Sequence, residues 1–349
     1  MAAGTGTAGT VTVLIATPLE AGNVARIAAA DPRLEVIYEP GLLPVPRYAA
    51  DHGGTPRDLS GDDLARWAGL RARAEVSFDF DWQDPAAMPR NCPRLRWVQG
   101  TSAGLGGYLQ RTGLDQTGLI FTTAAGVHGL PLAEFTLLGL LYFIKDVPGL
   151  RRAQSRHRWE PRETAMLSGT RVVLVGLGGI GRQVAATLSA AGAEVIGVGR
   201  PGRTYDVPGV TAYTADTALD DVLPTASALV LACPLTERTR GLIGQRQLAQ
   251  LPPGAVLVNV ARGAVVDEAA MARALADGHL GGACLDVFEK EPLGEDSPLW
   301  DLDNVLVSPH TASSVSAENS LITDLFIENL RRWLAGTPLR NVYDRTAGY

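Results

Sequence analysis

Lysine is nearly absent from this sequence. Lys145 and Lys290 are the only two in 349 residues, so arginine carries almost all the positive charge. Acidic residues outnumber basic ones by 37 to 31, and a formal net charge of −6 argues against binding along a nucleic-acid backbone. Long apolar runs are missing too: the longest, Phe135–Ile144, is too short to span a bilayer. Met1–Thr10 is small and polar, without the basic start and apolar centre of a secretory signal. The three cysteines, Cys92, Cys233 and Cys284, are odd in number, far apart and without metal-ligand spacing, which excludes a disulfide framework and predicts no metal site. A soluble chain in a reducing, cytoplasmic setting is the expectation.

What is present is ordinary globular material, 46% hydrophobic and 19% charged, enough for a sizeable core and, at this length, for about two domains. Its organising stretch is Arg171–Arg203. A β-branched apolar run, Val172–Val175, has the length and composition of a buried strand. Gly176, Gly178 and Gly181 follow in the spacing G-x-G-x-x-G, then good helix formers to Ala191, Gly192, and a second apolar run, Val195–Val198. This is a βαβ unit of about 30 residues, the context that a dinucleotide fingerprint requires. Gly176 allows the tight turn, Gly178 lets the backbone approach a pyrophosphate, and Gly181 lets helix and strand pack closely. The N–H groups of Gly179, Ile180 and Gly181, at the positive end of the helix dipole, then face the phosphates.

Strand and helix patterns alternate before this stretch. Val11–Ala16, Leu34–Ile37, Glu75–Phe80, Leu95–Gln99 and Leu119–Thr122 read as strands, and Ala21–Ala30 and Asp62–Arg73 as helices. Leu43–Gly61, rich in Pro, Gly and Asp, reads as a long surface loop. Such alternation predicts an α/β domain with a parallel sheet. Gly129–Lys145 reads as a helix with Pro131 in its first turn. Past it come Val172–Val175, Val195–Val198, Ala228–Ala232, Ala255–Asn259, Gly282–Leu285 and Val305–Val307, a six-strand succession of the doubly wound kind. Ser316–Leu334 places Leu321, Ile322, Leu325, Phe326, Leu330 and Leu334 on one helical face, expected to return to the N-terminal domain. The expected division is 1–125 with 316–349 as a discontinuous substrate domain, and 126–315 as the dinucleotide-binding domain.

Arg262 in NVARG, Glu291 in LDVFEKEP and His310 in VSPHTA each follow a strand of the second half, where open α/β sheets bind ligands. These three segments, with PLTERTRGLIG (Pro234–Gly244) and all downstream of GLGGIG, resemble the D-isomer-specific 2-hydroxyacid dehydrogenase family. The likeness is close over 126–312 and looser before it. It implies an α/β fold of two Rossmann-like domains, a doubly wound nucleotide-binding domain inserted in a flavodoxin-like substrate domain, and a homodimer. It implies hydride transfer between a nicotinamide cofactor and a small 2-oxo or D-2-hydroxy acid, of the glyoxylate or hydroxypyruvate kind. Arg262 then binds the substrate's carboxylate and carbonyl through its planar fork of donors. His310 is the acid/base, its unperturbed pKa of about 6.5 lying near working pH, and a buried Glu291 favours its imidazolium form. Asp286 holds the nicotinamide carboxamide, while Cys233, Pro234, Thr239, Val260, Ala261, His310 and Ala312 line the cofactor. In the first half, WVQGTSAG resembles the loop whose backbone N–H groups grip the substrate carboxylate, which marks Ser102, Ala103 and Gly104. Many members carry Asp two residues after that glycine, whereas this chain has Gly106. Domain closure about 126–131 and 312–316 would exclude water.

An NAD enzyme places Asp or Glu at the end of the second strand to accept from the ribose 2′-hydroxyl. That position is Gly199, followed by Arg200 and, close behind, Arg203, which pair with a 2′-phosphate where a carboxylate would repel it. Similar sequences of the glyoxylate/hydroxypyruvate reductase branch with this pattern prefer NADP, so NADP(H) is the expected cofactor, with NAD(H) left open. Formate dehydrogenases of this fold carry Gln where Glu291 stands, which sets formate oxidation aside. Two rivals stay open: phosphite oxidation on the same Arg–Glu–His set, and a non-enzymatic nucleotide-sensing protein like the corepressors related to the family. His52, His157 and His279 read as solvated, and Trp159, Trp300 and Trp333 as packing residues.

Overall fold

The computed structural model describes residues 9–346 and 348, and the chain divides into two compact units, Met1–Val127 with Ser314–Tyr349, and His128–Ser313. The first ten residues, read above as carrying no signal, lie mostly outside the described residues.

In the first unit five short strands, β1 (Val11–Ile15), β2 (Leu34–Ile37), β3 (Val76–Phe78), β4 (Trp97–Gln99) and β5 (Ile120–Thr122), form one parallel sheet in the order β2-β1-β3-β4-β5. This is the flavodoxin-like order, with its switch point between β1 and β3. Val13 is the pivot of the register, pairing with Val36 on one side and Val76 on the other. The helix Glu318–Ala335 buries Ile322, Phe326, Leu330 and Trp333 in the same core as Phe78 and Trp97, with the Phe326 ring 5.0 Å from Phe78 and 5.3 Å from Trp97. Leu321, expected on that face, is instead exposed. The helix Gly61–Arg71 starts on a capping box: Ser60 Oγ accepts from the Asp63 N–H at 3.1 Å, and Asp63 accepts from the Ser60 N–H.

The segment 43–61 is more than a surface loop. Leu43 and Asp51 are buried, the Asp51 carboxylate binds Arg47 and the Gly54 N–H, and Val45 bridges Thr55. His52, expected to be solvated, is mostly enclosed: Nδ1 lies 3.5 Å from Thr17 Oγ1 and Nε2 lies 3.8 Å from the Glu318 carboxylate. His279 is likewise half-buried, its Nε2 3.0 Å from the Leu248 carbonyl.

The second unit holds seven parallel strands: β6 (Arg171–Val175), β7 (Glu194–Gly199), β8 (Val210–Ala215), β9 (Ala228–Leu231), β10 (Ala255–Asn259), β11 (Leu280–Leu285) and β12 (Val305–Val307). Their order is β12-β11-β10-β9-β6-β7-β8, doubly wound about the junction of β6 and β9. The strand beyond the expected six is β8, an edge strand with no buried residue, so it lacks the continuous apolar run of its neighbours. The helix Gly129–Ile144 packs on β10 and β11, close enough that a Cβ on Gly139 would stand 2.6 Å from Cys284. Among the described residues no helix is long and apolar enough to cross a membrane.

Candidate active site

The residues marked above for cofactor or substrate in the second unit lie at or beyond the carboxyl ends of its strands. Gly176, just past β6, has φ +102°, and a Cβ there would meet the Ala232 carbonyl and the Cys233 N–H at 2.7 and 2.6 Å. The turn after β6 and the Cys233–Pro234 turn after β9 therefore touch through backbone at the switch point. A Cβ on Gly181 would collide with the Gly176 carbonyl at 1.8 Å, which seats the helix Gly179–Ala190 directly on the turn. Gly178 is different: nothing lies within 4 Å of its would-be Cβ, and no side chain caps the helix that follows. The result is an open cradle of backbone N–H groups at a helix N-terminus, the donor set that fits a pyrophosphate. Cys233 lines it as an inert thiol, burial having pushed its pKa up to about 12. Thr239 Oγ1 donates to the Pro234 carbonyl at 2.6 Å and so closes the β9 turn on itself. Val260 and Ala261 are buried under the turn after β10, where the Ala261 N–H donates to Asn259 Oδ1 at 3.0 Å.

Arg262 follows in extended conformation, half-buried, with Nη1 donating to the Ala261 carbonyl at 2.7 Å. Burial pulls its pKa down, against the upward pull of Glu291 and Asp286. The next residue explains why those carboxylates are near. A Cβ on Gly263 would stand 1.8 Å from the Phe288 carbonyl carbon, so the NVARG loop lies against the LDVFEKEP loop without space for a side chain.

Glu291 Oε1 accepts the Phe288 N–H at 3.0 Å, and Oε2 lies 2.7 Å from His310 Nδ1. Expected to be buried, the Glu291 side chain keeps 36% of its surface exposed and His310 keeps 43%. Burial still raises the cost of ionising Glu291, but the bonds from His310 and Phe288, with Arg262 nearby, hold its carboxyl below the usual value. The pair is thus set by geometry rather than by enclosure.

His310 itself has φ +56°, in the left-handed region that few non-glycine residues adopt. The loop around it is held by Asp286. This carboxyl is buried, and its Oδ1 accepts from Ser308 Oγ at 2.6 Å, Thr311 N–H at 2.8 Å and Ala312 N–H at 2.9 Å. Burial raises the Asp286 pKa, with these three bonds and the His310 charge opposing. Asp286, singled out above for the nicotinamide, is thus also the anchor of the His310 loop. The role was hidden because its donors lie 22 to 26 residues further along the chain; Ser308 in VSPH was the available signal.

The end of β7 carries Gly199, and Arg200 and Arg203 beyond it are both exposed. In the first unit, Ser102, Ala103 and Gly104 follow β4; the Ser102 carbonyl accepts the Ala124 N–H at 3.0 Å and its Oγ accepts the Gly104 N–H at 3.2 Å. That last bond engages one of the N–H groups expected to face a substrate. Gly106 also has its reason: a Cβ would stand 2.1 Å from the Gly348 carbonyl, so the C-terminal segment packs where a side chain would be. Consistent with this, the helix Gly106–Thr112 has no side-chain cap. Of the three tryptophans expected to pack, only Trp333 does; Trp300 is half-exposed with Nε1 donating to the Gly294 carbonyl, and Trp159 is 95% exposed.

Comparison with known proteins agrees with this geometry. Residues 137–312 match the family model described as D-isomer specific 2-hydroxyacid dehydrogenase, NAD binding domain. An (S)-sulfolactate dehydrogenase of Chromohalobacter salexigens is 34% identical over 278 residues, 78% of this chain and 89% of that protein. Among solved structures, a D-isomer specific 2-hydroxyacid dehydrogenase from Xanthobacter autotrophicus, in complex with NADPH and MES, is similar with TM-score 0.78 and 32% identity, over 98% of this chain and all of that one. An NADPH-dependent glyoxylate/hydroxypyruvate reductase from Sinorhizobium meliloti, in complex with NADP and sulfate, has TM-score 0.77 and 27% identity, over 97% of this chain and all of that one. With a nucleotide cradle at the switch point and an Arg, Glu and His set at the strand ends beside it, the chain is an enzyme with a nicotinamide cofactor and belongs to the D-isomer specific 2-hydroxyacid dehydrogenase family.

Proposed function

We propose that this enzyme reduces a small 2-oxo acid, of the glyoxylate or hydroxypyruvate class, with NADPH. The observation that carries the reading is the 2.7 Å contact between His310 Nδ1 and Glu291 Oε2, with Arg262 close to the same carboxylate. Arg262 holds the carboxylate and polarises the carbonyl of the substrate. With Nδ1 committed to Glu291, His310 Nε2 carries the proton that goes to the carbonyl oxygen as it becomes a hydroxyl. A nicotinamide cofactor held by the 176–181 turn would supply the hydride for the carbonyl carbon. Glu291 stabilises the charged imidazole beforehand and fixes its ring. Ser102, Ala103 and Gly104 are the first unit's candidates for the carboxylate, chosen because small residues leave their backbone approachable.

The preference for NADP(H) rests on Gly199, where no carboxylate stands, and on the exposed Arg200 and Arg203. The NADPH and NADP in the two solved relatives support it. A spectrophotometric panel of 2-oxo acids against NADPH and NADH tests both parts. Turnover of glyoxylate or hydroxypyruvate with NADPH, abolished in His310→Ala while NADPH still binds, is the expected result. A clear preference for NADH would overturn the cofactor assignment, and wild-type rates in His310→Ala would remove that residue from the mechanism.

We further infer a homodimer built on 129–166, where Leu130, Leu138, Leu150, Trp159 and Met166 present apolar side chains to solvent.

A further inference from the structure

Gly199, at the end of β7, is buried although it has no side chain of its own to bury. What covers it is Tyr205. A Cβ built on Gly199 would meet the Tyr205 ring at 2.3 and 2.5 Å and its hydroxyl oxygen at 2.8 Å. The ring therefore stands in the place from which a side chain at 199 would reach a ribose. It is also held there. The Tyr205 hydroxyl accepts the Arg200 backbone N–H at 2.8 Å, and its ring stacks on Tyr213 with centroids 6.4 Å apart and planes 15° from parallel. Tyr213 is fixed in turn, its hydroxyl accepting the Val207 N–H at 2.8 Å and donating to the Val207 carbonyl at 3.1 Å. From the other side Arg182, on the helix behind the nucleotide turn, donates to the Asp206 carbonyl at 2.7 Å. Above the ring, the Arg203 guanidinium sits 5.6 Å from the Tyr205 centroid, within cation–π range.

We propose that Tyr205 is a specificity-determining residue for the cofactor, its ring closing the position of a ribose-reading carboxylate and its hydroxyl and face setting Arg200 and Arg203 around a 2′-phosphate. The second half rests on the NADP(H) reading above; the first does not. Tyr205 acts through its neighbours and is a positioning residue. An arginine pair on an exposed loop is a poor binder while it wanders, because ordering each long side chain costs conformational entropy on binding. Seating the backbone of one arginine and the guanidinium of the other on one aromatic ring lowers that cost before any ligand arrives. It also means that the usual exchange of a glycine for an acidic residue at the end of the second strand fails here by itself. The new side chain would have to evict a stacked, hydrogen-bonded tyrosine.

The test measures binding rather than turnover, in Tyr205→Phe, Tyr205→Ala, Gly199→Asp and the double variant Gly199→Asp/Tyr205→Ala. Calorimetry with 2′,5′-ADP and 5′-AMP reports the 2′-phosphate separately from the rest of the nucleotide. Tyr205→Phe, which loses only the bond to Arg200, is expected to weaken 2′,5′-ADP by about threefold to tenfold. 5′-AMP affinity should stay unchanged, and Tyr205→Ala should weaken 2′,5′-ADP more. Loss of both ligands in parallel, or of neither, would overturn the positioning role. For the closed position, NADH is titrated into the other two variants. Gly199→Asp alone is expected to gain nothing or to lose thermal stability, and the double variant to recover stability and bind NADH at least about tenfold better than Gly199→Asp. Equal NADH affinity and equal melting temperature in the two would overturn it. A wild-type preference for NADH would refute the NADP(H) reading alone, since Gly199→Asp and Gly199→Asp/Tyr205→Ala are compared entirely on NADH.

Discussion

Oδ1 of Asp286 accepts the backbone N–H of Thr311, the residue after His310, at 2.8 Å. Because the same oxygen also takes Ser308 Oγ and the Ala312 N–H, one buried atom shapes the loop on both sides of the histidine. Deleting the carboxyl strands three donors, at roughly 1–3 kcal/mol for each left unpaired. Asp286→Ala should therefore lower the melting temperature by several degrees and abolish reduction of a 2-oxo acid. Asp286→Asn, which keeps an acceptor oxygen, should retain most of the stability. Equal melting curves for Asp286→Ala and wild type, by calorimetry, would refute the anchoring role.

Glu291→Gln removes the charge beside His310 and leaves the size of the side chain. The carboxyl is ionised well below neutral pH in the folded enzyme, so across the working range the wild type presents a full negative charge to His310. Without it, the ring loses the anionic acceptor that holds Nδ1 at 2.7 Å. kcat/KM for reduction should fall by at least about tenfold, with kcat carrying most of the loss and the melting temperature nearly unchanged. An unchanged kcat/KM would leave Glu291 with a structural role only.

His52 predicts a pH dependence of stability. Burial lowers its pKa, but Glu318, Asp79 and Asp51 raise it by more, and the net shift is upward. A group with a raised folded pKa stabilises fully below its unfolded value, about 6.5, and loses that contribution as pH rises through the folded one. The melting temperature of wild type should thus exceed that of His52→Asn most at pH 6, with the gap narrowing toward pH 9. A gap that widens with pH would reverse the sign and refute the ion pair.

The dimer inferred on 129–166 should give a solution mass about twice the 36.8 kDa of the chain. Leu138→Asp with Leu150→Asp places charge on exposed apolar positions and should leave a folded monomer. Light scattering at a single mass for wild type and variant alike would refute the surface as the interface.

The sequence made the second unit legible where physics is redundant. β6, β9 and β10 are buried on both faces, so their apolar runs could hardly read as anything else, and the glycines at 176 and 181 are required by backbone contacts. Arg262, Glu291 and His310 were named from family motifs, and the pairing of the last two was implied by the resemblance; the 2.7 Å geometry and the partial exposure of the pair came only with the fold. The edge strand β8 escaped because solvent, not core, faces its side chains. His52 was misread because its polar neighbours in sequence suggest solvent, while Thr17 and Glu318 are remote along the chain. Trp159 was misread for the opposite reason: a large aromatic suggests packing, and among the described residues none covers it. The role of Asp286 under the His310 loop depends on the course of that loop, which no local pattern encodes.

The absence of a side chain at 263 has a wider consequence. The loops bearing Arg262 and Glu291 meet backbone to backbone at that point, in a contact too close to admit even one carbon. The starting points of the two charged side chains are thus set by the main chain. A variant could therefore detune this enzyme while every functional side chain is intact, through an atom that the native protein never had.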